Sequence, residues 1–152
     1  MQNLIVAVGR WKAGPEKALY ELYEKRIQPP LKLKEVEEKK RLSRAELIRL
    51  EGQLLLSAVP DGARIVVLDG IGKGLSSRVL AETLGRWRDD GVRSAAFLIG
   101  GAAGHGQTTL QRADLKLSLG PQTWPHMMVR AMLAEQLYRT QTILSGHPYH
   151  RE

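Results

Sequence analysis

RIVVLDGIGKG, residues 64 to 74, decides the fold. Its first half is an unbroken run of branched apolar residues with no polar alternation. That is the pattern of a strand buried on both faces, which occurs in parallel sheets covered by helices. Its second half places Gly70, Gly72 and Gly74 directly after the strand. AAFLIGGAAGHG (95–106) repeats the arrangement: a continuous apolar run, then a cluster of glycines.

Outward from these two stretches the same alternation holds. LIVAV (4–8), LKLKEV (31–36) and LKLSL (115–119) read as further strands, beside RIVVLD (64–69) and AAFLIG (95–100). Helical patterns fall between them at about 16–26, 44–58, 78–90 and 108–113, and a last one runs over 126–145. Ser43 and Glu46 have capping-box spacing, and Gly91 stands where the helix ending RWRDD needs a left-handed residue. The expected fold class is α/β, a mostly parallel sheet with helices on both faces, formed as one domain over 1–152.

The chain has 152 residues and no cysteine, so disulfides, thiolate metal sites and a cysteine nucleophile are excluded. MQNLIVAVGRWKAG carries only a five-residue apolar run, which fits neither a secretory signal nor a membrane span; a cytoplasmic protein is expected. Lys and Arg outnumber Asp and Glu by 23 to 16, a net +7 that favours a polyanion such as RNA. The mixed-sign run KLKEVEEKKRLSR (32–44) reads as a solvated strand end and loop, with an RNA contact as the lesser alternative.

In open parallel sheets ligands bind beyond the carboxyl ends of strands, where both glycine clusters lie. Neither cluster is a phosphate loop. Gly72-Lys73 lacks the preceding glycine and the following Ser or Thr, and no triple matches G-x-G-x-x-G, so a ligand there is not held by its phosphates. A third loop, LGPQTWPHMMVR (119–130), follows the last strand, and Pro125 can open the long helix after it. Three such loops on one sheet edge point to a shared pocket. His126 and Arg130, four apart, are expected at its mouth as polar contacts to a ligand or to the end of the chain. Met127 to Leu144 is apolar over more than one stripe, which calls for burial on several sides and, in a small chain, for a homodimer through this helix. Glu135 and Arg139 read as an exposed i,i+4 pair.

LIGG, the TWPH run leading into VR and LAEQLYR, and the final HPYHRE carry a resemblance that spans the whole chain. The sequence resembles the ribosomal large-subunit pseudouridine N3-methyltransferase family, RlmH, a minimal branch of the SPOUT methyltransferases. The resemblance implies a trefoil knot toward the C-terminus, a homodimer, and S-adenosylmethionine as cofactor. Carried over, the cofactor contacts fall on Leu68, Gly101 and the stretch Gly120, Pro121, Gln122, Thr123, Trp124 and Pro125. The implied substrate is a pseudouridine in a ribosomal RNA hairpin, modified on assembled ribosomes.

N3 of pseudouridine is a poor nucleophile until its imide proton leaves, and the transfer itself needs no metal. GHPYHRE (146–152) holds groups suited to that step: His147 and His150 for the proton, Tyr149 to stack or hydrogen-bond, Arg151 to steady the anion. Tyr149, His150 and Arg151 are therefore the expected catalytic group, folded over the cofactor pocket, with His126, Arg130 and His147 toward the substrate. Two other classes fit parts of the pattern: a nucleotide-binding α/β oxidoreductase, weakened by the missing fingerprint, and a non-enzymatic RNA-binding module.

Overall fold

The structure, a computed structural model, describes all residues from Met1 to Glu152. Five strands, β1 (Gln2–Val8), β2 (Lys32–Val36), β3 (Arg64–Lys73), β4 (Ser94–Ile99) and β5 (Leu115–Leu117), form one sheet in the order β2-β1-β4-β3-β5. Every pairing is parallel, where the sequence called for a mostly parallel sheet. The helices are α1 (Pro15–Glu24), α2 (Arg44–Ser57), α3 (Ser77–Asp89), α4 (Gln107–Gln111) and α5 (His126–Ser145).

Side chains alternate along each strand, so the continuous apolar runs feed two cores. Ile5, Ala7, Val66, Ala95, Phe97 and Ile99 face α1, α3 and α5, packing on Tyr20, Leu80, Leu84 and Leu133. Leu4, Val6, Val8, Ile65, Val67, Ala96 and Leu98 face the other side, against Leu55 of α2, with Leu110 of α4 beside them. The helix ends follow the local signals: Ser43 Oγ accepts from the Glu46 amide, and Gly91 is left-handed at φ 86°. Pro125 is the residue before the first turn of α5 rather than within it.

Two departures from the sequence reading shape the site. β3 runs four residues past the expected strand 64–69. Leu68 and Lys73 both lie opposite Leu117, and residues 69–72 are thrown out between them over the carboxyl edge. β5 is correspondingly short: after Leu117 only the Ser118 amide still bonds to β3, at the Lys73 carbonyl, and the Ser118 hydroxyl turns to loop backbone. The breadth of the apolar surface on α5 also has a different cause: α1 and α3 flank it within the same chain, so no second copy is needed to bury it.

Candidate functional site

The carboxyl ends of β3, β4 and β5 surround a cavity of about 470 Å³, within the range of small-molecule sites. Its walls come from Leu68 to Ile71, from Ile99 to Gly101 with Gly104 and His105, and from Leu119 to Trp124 with His126 and Val129 at the start of α5. The cavity thus gathers Leu68, Gly101, Gly120, Pro121, Gln122, Thr123 and Trp124 of the expected cofactor set. Pro125 stands just outside it.

The loops are tied to each other as well as to the sheet. Ser118 Oγ accepts from the Gly120 amide at 3.1 Å and lies 3.2 Å from the Gly70 carbonyl, linking the β3 excursion to the β5 loop. The Trp124 indole N–H donates to the Leu119 carbonyl at 3.2 Å, folding the third loop back on itself. Gly72 crosses β5 so closely that a Cβ would lie 2.6 Å from the Lys116 carbonyl oxygen, a position open only to glycine.

His105 is a wall residue that the sequence reading passed over; a histidine inside a glycine loop after a strand was the available signal. Burial pushes its imidazole below the ordinary value, opposed by Asp69 and by the backbone of Leu68 and Leu98, so it is neutral at pH 7. Its Nε2, like Nδ1 of His126, is buried without a protein partner. Behind Gly101 lies the half-inserted carboxyl of Glu51, with burial raising its pKa and Oε1 unpaired. No lysine or arginine lines the cavity, and Asp69 is its single carboxylate.

Arg130 is not at the mouth. It is fully buried, donating through Nη1 to Glu35 at 2.7 Å and through Nη2 to the carbonyls of Val8 and Gly9 at 3.2 and 2.9 Å. Its guanidinium lies 4.7 Å from the centre of the Trp11 ring, and Glu35 also accepts from the Trp11 amide. A helical residue four positions after His126 lies one turn deeper, where α5 crosses the ends of β1 and β2, and there Arg130 works as a clamp.

The last residues take another place too. Tyr149, His150 and Arg151 do not line the cavity, nor does His147, which is exposed and accepts from the Tyr149 amide. The Tyr149 hydroxyl donates to Glu135 at 3.0 Å and lies 3.4 Å from the Tyr23 hydroxyl, and its ring packs edge-on to Tyr138. Burial, then these hydrogen bonds, raise its pKa, so it stays a phenol. Arg139 holds Glu135, stacks on Tyr149, and lies 3.1 Å from His150 Nδ1; Arg78 pairs with Glu152. Glu135 and Arg139 are thus half-buried partners of the chain end, not an exposed pair. Arg139 only donates, so the 3.1 Å contact occupies His150 Nδ1 in this position. Glu135 and Tyr138 lie about 14–18 Å along α5 from His126 at 1.5 Å per residue, which is too far for a side chain to cross.

A parallel α/β sheet with three knitted loops closing a cation-free cavity at its carboxyl edge defines a protein that binds a small organic ligand at a topological switch point. The family described as "Predicted SPOUT methyltransferase" matches residues 1–150. The "Ribosomal RNA large subunit methyltransferase H" proteins of Paramagnetospirillum magneticum and Rhodospirillum centenum are each 54% identical over 151 residues, covering 99% of both chains. The crystal structure of Archaeoglobus fulgidus Nep1 bound to S-adenosylhomocysteine overlays with a TM-score of 0.45 at 14% identity, over 84% of this chain and 71% of that one. The chain belongs to the SPOUT methyltransferase family.

Proposed function

We propose that the protein transfers a methyl group from S-adenosylmethionine to large-subunit ribosomal RNA, at N3 of a pseudouridine, on assembled ribosomes in the cytoplasm. The observation that carries the choice of cofactor is the charge of the cavity. A dinucleotide brings phosphates and would meet Asp69 with no cation to balance it; a sulfonium brings a positive charge that Asp69 favours. The unpaired nitrogens of His105 and His126 and the amides of the glycine loops suit the polar groups of an adenosine, and Leu68, Ile99, Leu117 and Val129 suit its flat apolar faces.

When bound, the cofactor supplies an electrophilic methyl on sulfur. Asp69 would favour its positive charge, and Gly101 with the loop from Gly120 to Trp124 would help hold it. The reading includes a trefoil knot formed by the segments that carry the loops after β3, β4 and β5.

A homodimer is part of this reading, and the position of the chain end supports it. In their docked position Tyr149, His150 and Arg151 sit well along α5 from their own cavity, which favours their serving the cavity of a second copy. Leu19 and Leu22 of α1 and Met128 of α5 are exposed apolar side chains suited to that contact. There Arg151 steadies the imide anion, and His150 accepts the proton once it has left Arg139. The phenol of Tyr149 orients the base.

Labelled S-adenosylmethionine incubated with ribosomes, separated subunits and free RNA, followed by nucleoside mapping, tests the reading. Label on N3 of a large-subunit pseudouridine is expected, with calorimetric binding of S-adenosylmethionine and none of NAD. Binding of NAD alone would replace it with an oxidoreductase.

Gly72→Ala probes the cavity itself. The added methyl meets backbone that cannot turn aside, and overpacking of this kind costs about 1–3 kcal/mol. Taken from the geometry that binds ligand, this corresponds to a loss of about 5- to 150-fold in S-adenosylmethionine affinity by calorimetry. An unchanged affinity would show that the β3 excursion does not shape the site.

A further inference from the structure

The net charge of the chain is unevenly placed. Parallel pairing of β1 with β2, in register through Val8 and Val36, sets the loops that follow them side by side, and Arg10 of one meets Glu37 of the other at 3.3 Å. Residues 9–14 and 37–44 together carry Arg10, Lys12, Lys39, Lys40, Arg41 and Arg44 against Glu37 and Glu38, a net +4 of the +7 of the whole chain. All six cations are exposed, and only Arg10 is in an ion pair. As a sequence, 32–44 reads first as a solvated mixed run and second as an RNA contact. The fold favours the second, because Glu37 is turned onto Arg10 and Glu38 accepts from the Lys40 amide, leaving Lys39, Lys40 and Arg41 exposed to solvent.

Position gives the patch its meaning. It caps the carboxyl ends of β2 and β1, the same edge on which the cavity caps β4, β3 and β5. At about 4.8 Å between strands, β2 lies about 10 Å from β4 and about 14 Å from β3. The cations therefore stand a few nucleotides from the cavity on one continuous edge. Arg130 fixes this spacing, since it binds the end of β1 and, through Glu35, β2, from the helix whose first turn lines the cavity.

Resting on the reading of the protein as an RNA methyltransferase, we propose that the loops 9–14 and 37–44 form its RNA-docking surface, holding backbone phosphates that flank the target nucleotide while the base enters the cavity. Unpaired Lys and Arg on short loops bind phosphate without reading sequence. The patch carries no exposed large apolar side chain beside them, which a membrane-surface contact would require.

The test combines Lys39→Ala, Lys40→Ala and Arg41→Ala in the full chain and compares it with wild type. A control removes the same charge from the opposite edge, at Arg86, Arg88 and Arg93. Fluorescence anisotropy with a labelled RNA hairpin is read across a salt series. The loop variant is expected to lose affinity about tenfold or more and to flatten the log–log salt slope by about 2–3, at 0.7–0.9 per phosphate contact. The control should keep the wild-type slope, and calorimetric S-adenosylmethionine affinity should stay unchanged in both. Equal losses in both variants, or none in either, would overturn the surface. Loss on intact subunits but not on free RNA would also overturn it, assigning the loops to a ribosomal protein. A failure of wild type to bind S-adenosylmethionine would instead sink the methyltransferase reading and leave the hairpin measurement interpretable.

Discussion

Removal of Tyr149 to Glu152 is expected to leave S-adenosylmethionine affinity within about twofold and to lower methyl transfer by about 10²–10⁴-fold, the usual contribution of positioned acid–base groups. The asymmetry follows from geometry: none of these residues lines the cavity, so cofactor binding does not use them. Unchanged transfer would remove them from the chemistry. Mixing this deletion with the Gly72→Ala variant sharpens the result. If the chain end serves a partner's cavity, mixed dimers regain transfer, because one intact cavity then meets one intact end. Failure to regain it would return the end to its own chain. In the folded-back position Tyr149 and His150 are held by Glu135, Arg139 and Tyr23, so the end must also leave this dock to act.

Arg130→Met should cost about 3–5 kcal/mol of stability, as breaking a buried pair does when one charge is left behind. In a chain of this size that lowers Tm by on the order of 10 °C. Methionine keeps much of the volume, so the loss reports the charge and hydrogen bonds. Glu35 loses its ion pair, and the carbonyls of Val8 and Gly9 lose their common donor. Adding Glu35→Gln should recover part of the loss, since the stranded carboxylate goes with it. A thermal shift of only a degree or two for Arg130→Met would mean the clamp is dispensable. Gly9, at φ 98°, takes the left-handed turn that brings its carbonyl to Arg130, so this corner is built around the guanidinium.

Much of this was legible in the residues. The runs IVVL and AAFLI read as doubly buried strands because both of their faces are apolar, and the structure places one face on α1, α3 and α5 and the other on α2 and α4. The glycine loops after β3 and β4 and the third loop before α5 read as one site because parallel strands put all their carboxyl ends on one edge. The β3 excursion was less accessible. Its glycines were visible, but its return to Leu117 depends on how closely β5 lies to Gly72.

Side-chain destinations were the poorest guide. Arg130 shares a helix face with His126, yet one turn separates a cavity wall from a buried clamp. GHPYHRE offered reactive groups but not their address, because a flexible end goes wherever complementary side chains wait, and here those are Tyr23, Glu135 and Arg139, contributed by two different helices. Charge behaved the same way: the sequence held a net +7, and only strand order and pairing showed that more than half of it sits on two adjoining loops. By itself the sequence determined what is periodic and local: strands, helices, turns, and which edge carries the glycines. Tertiary structure alone decided where the charged and polar side chains end, because their partners come from elements far apart in the chain.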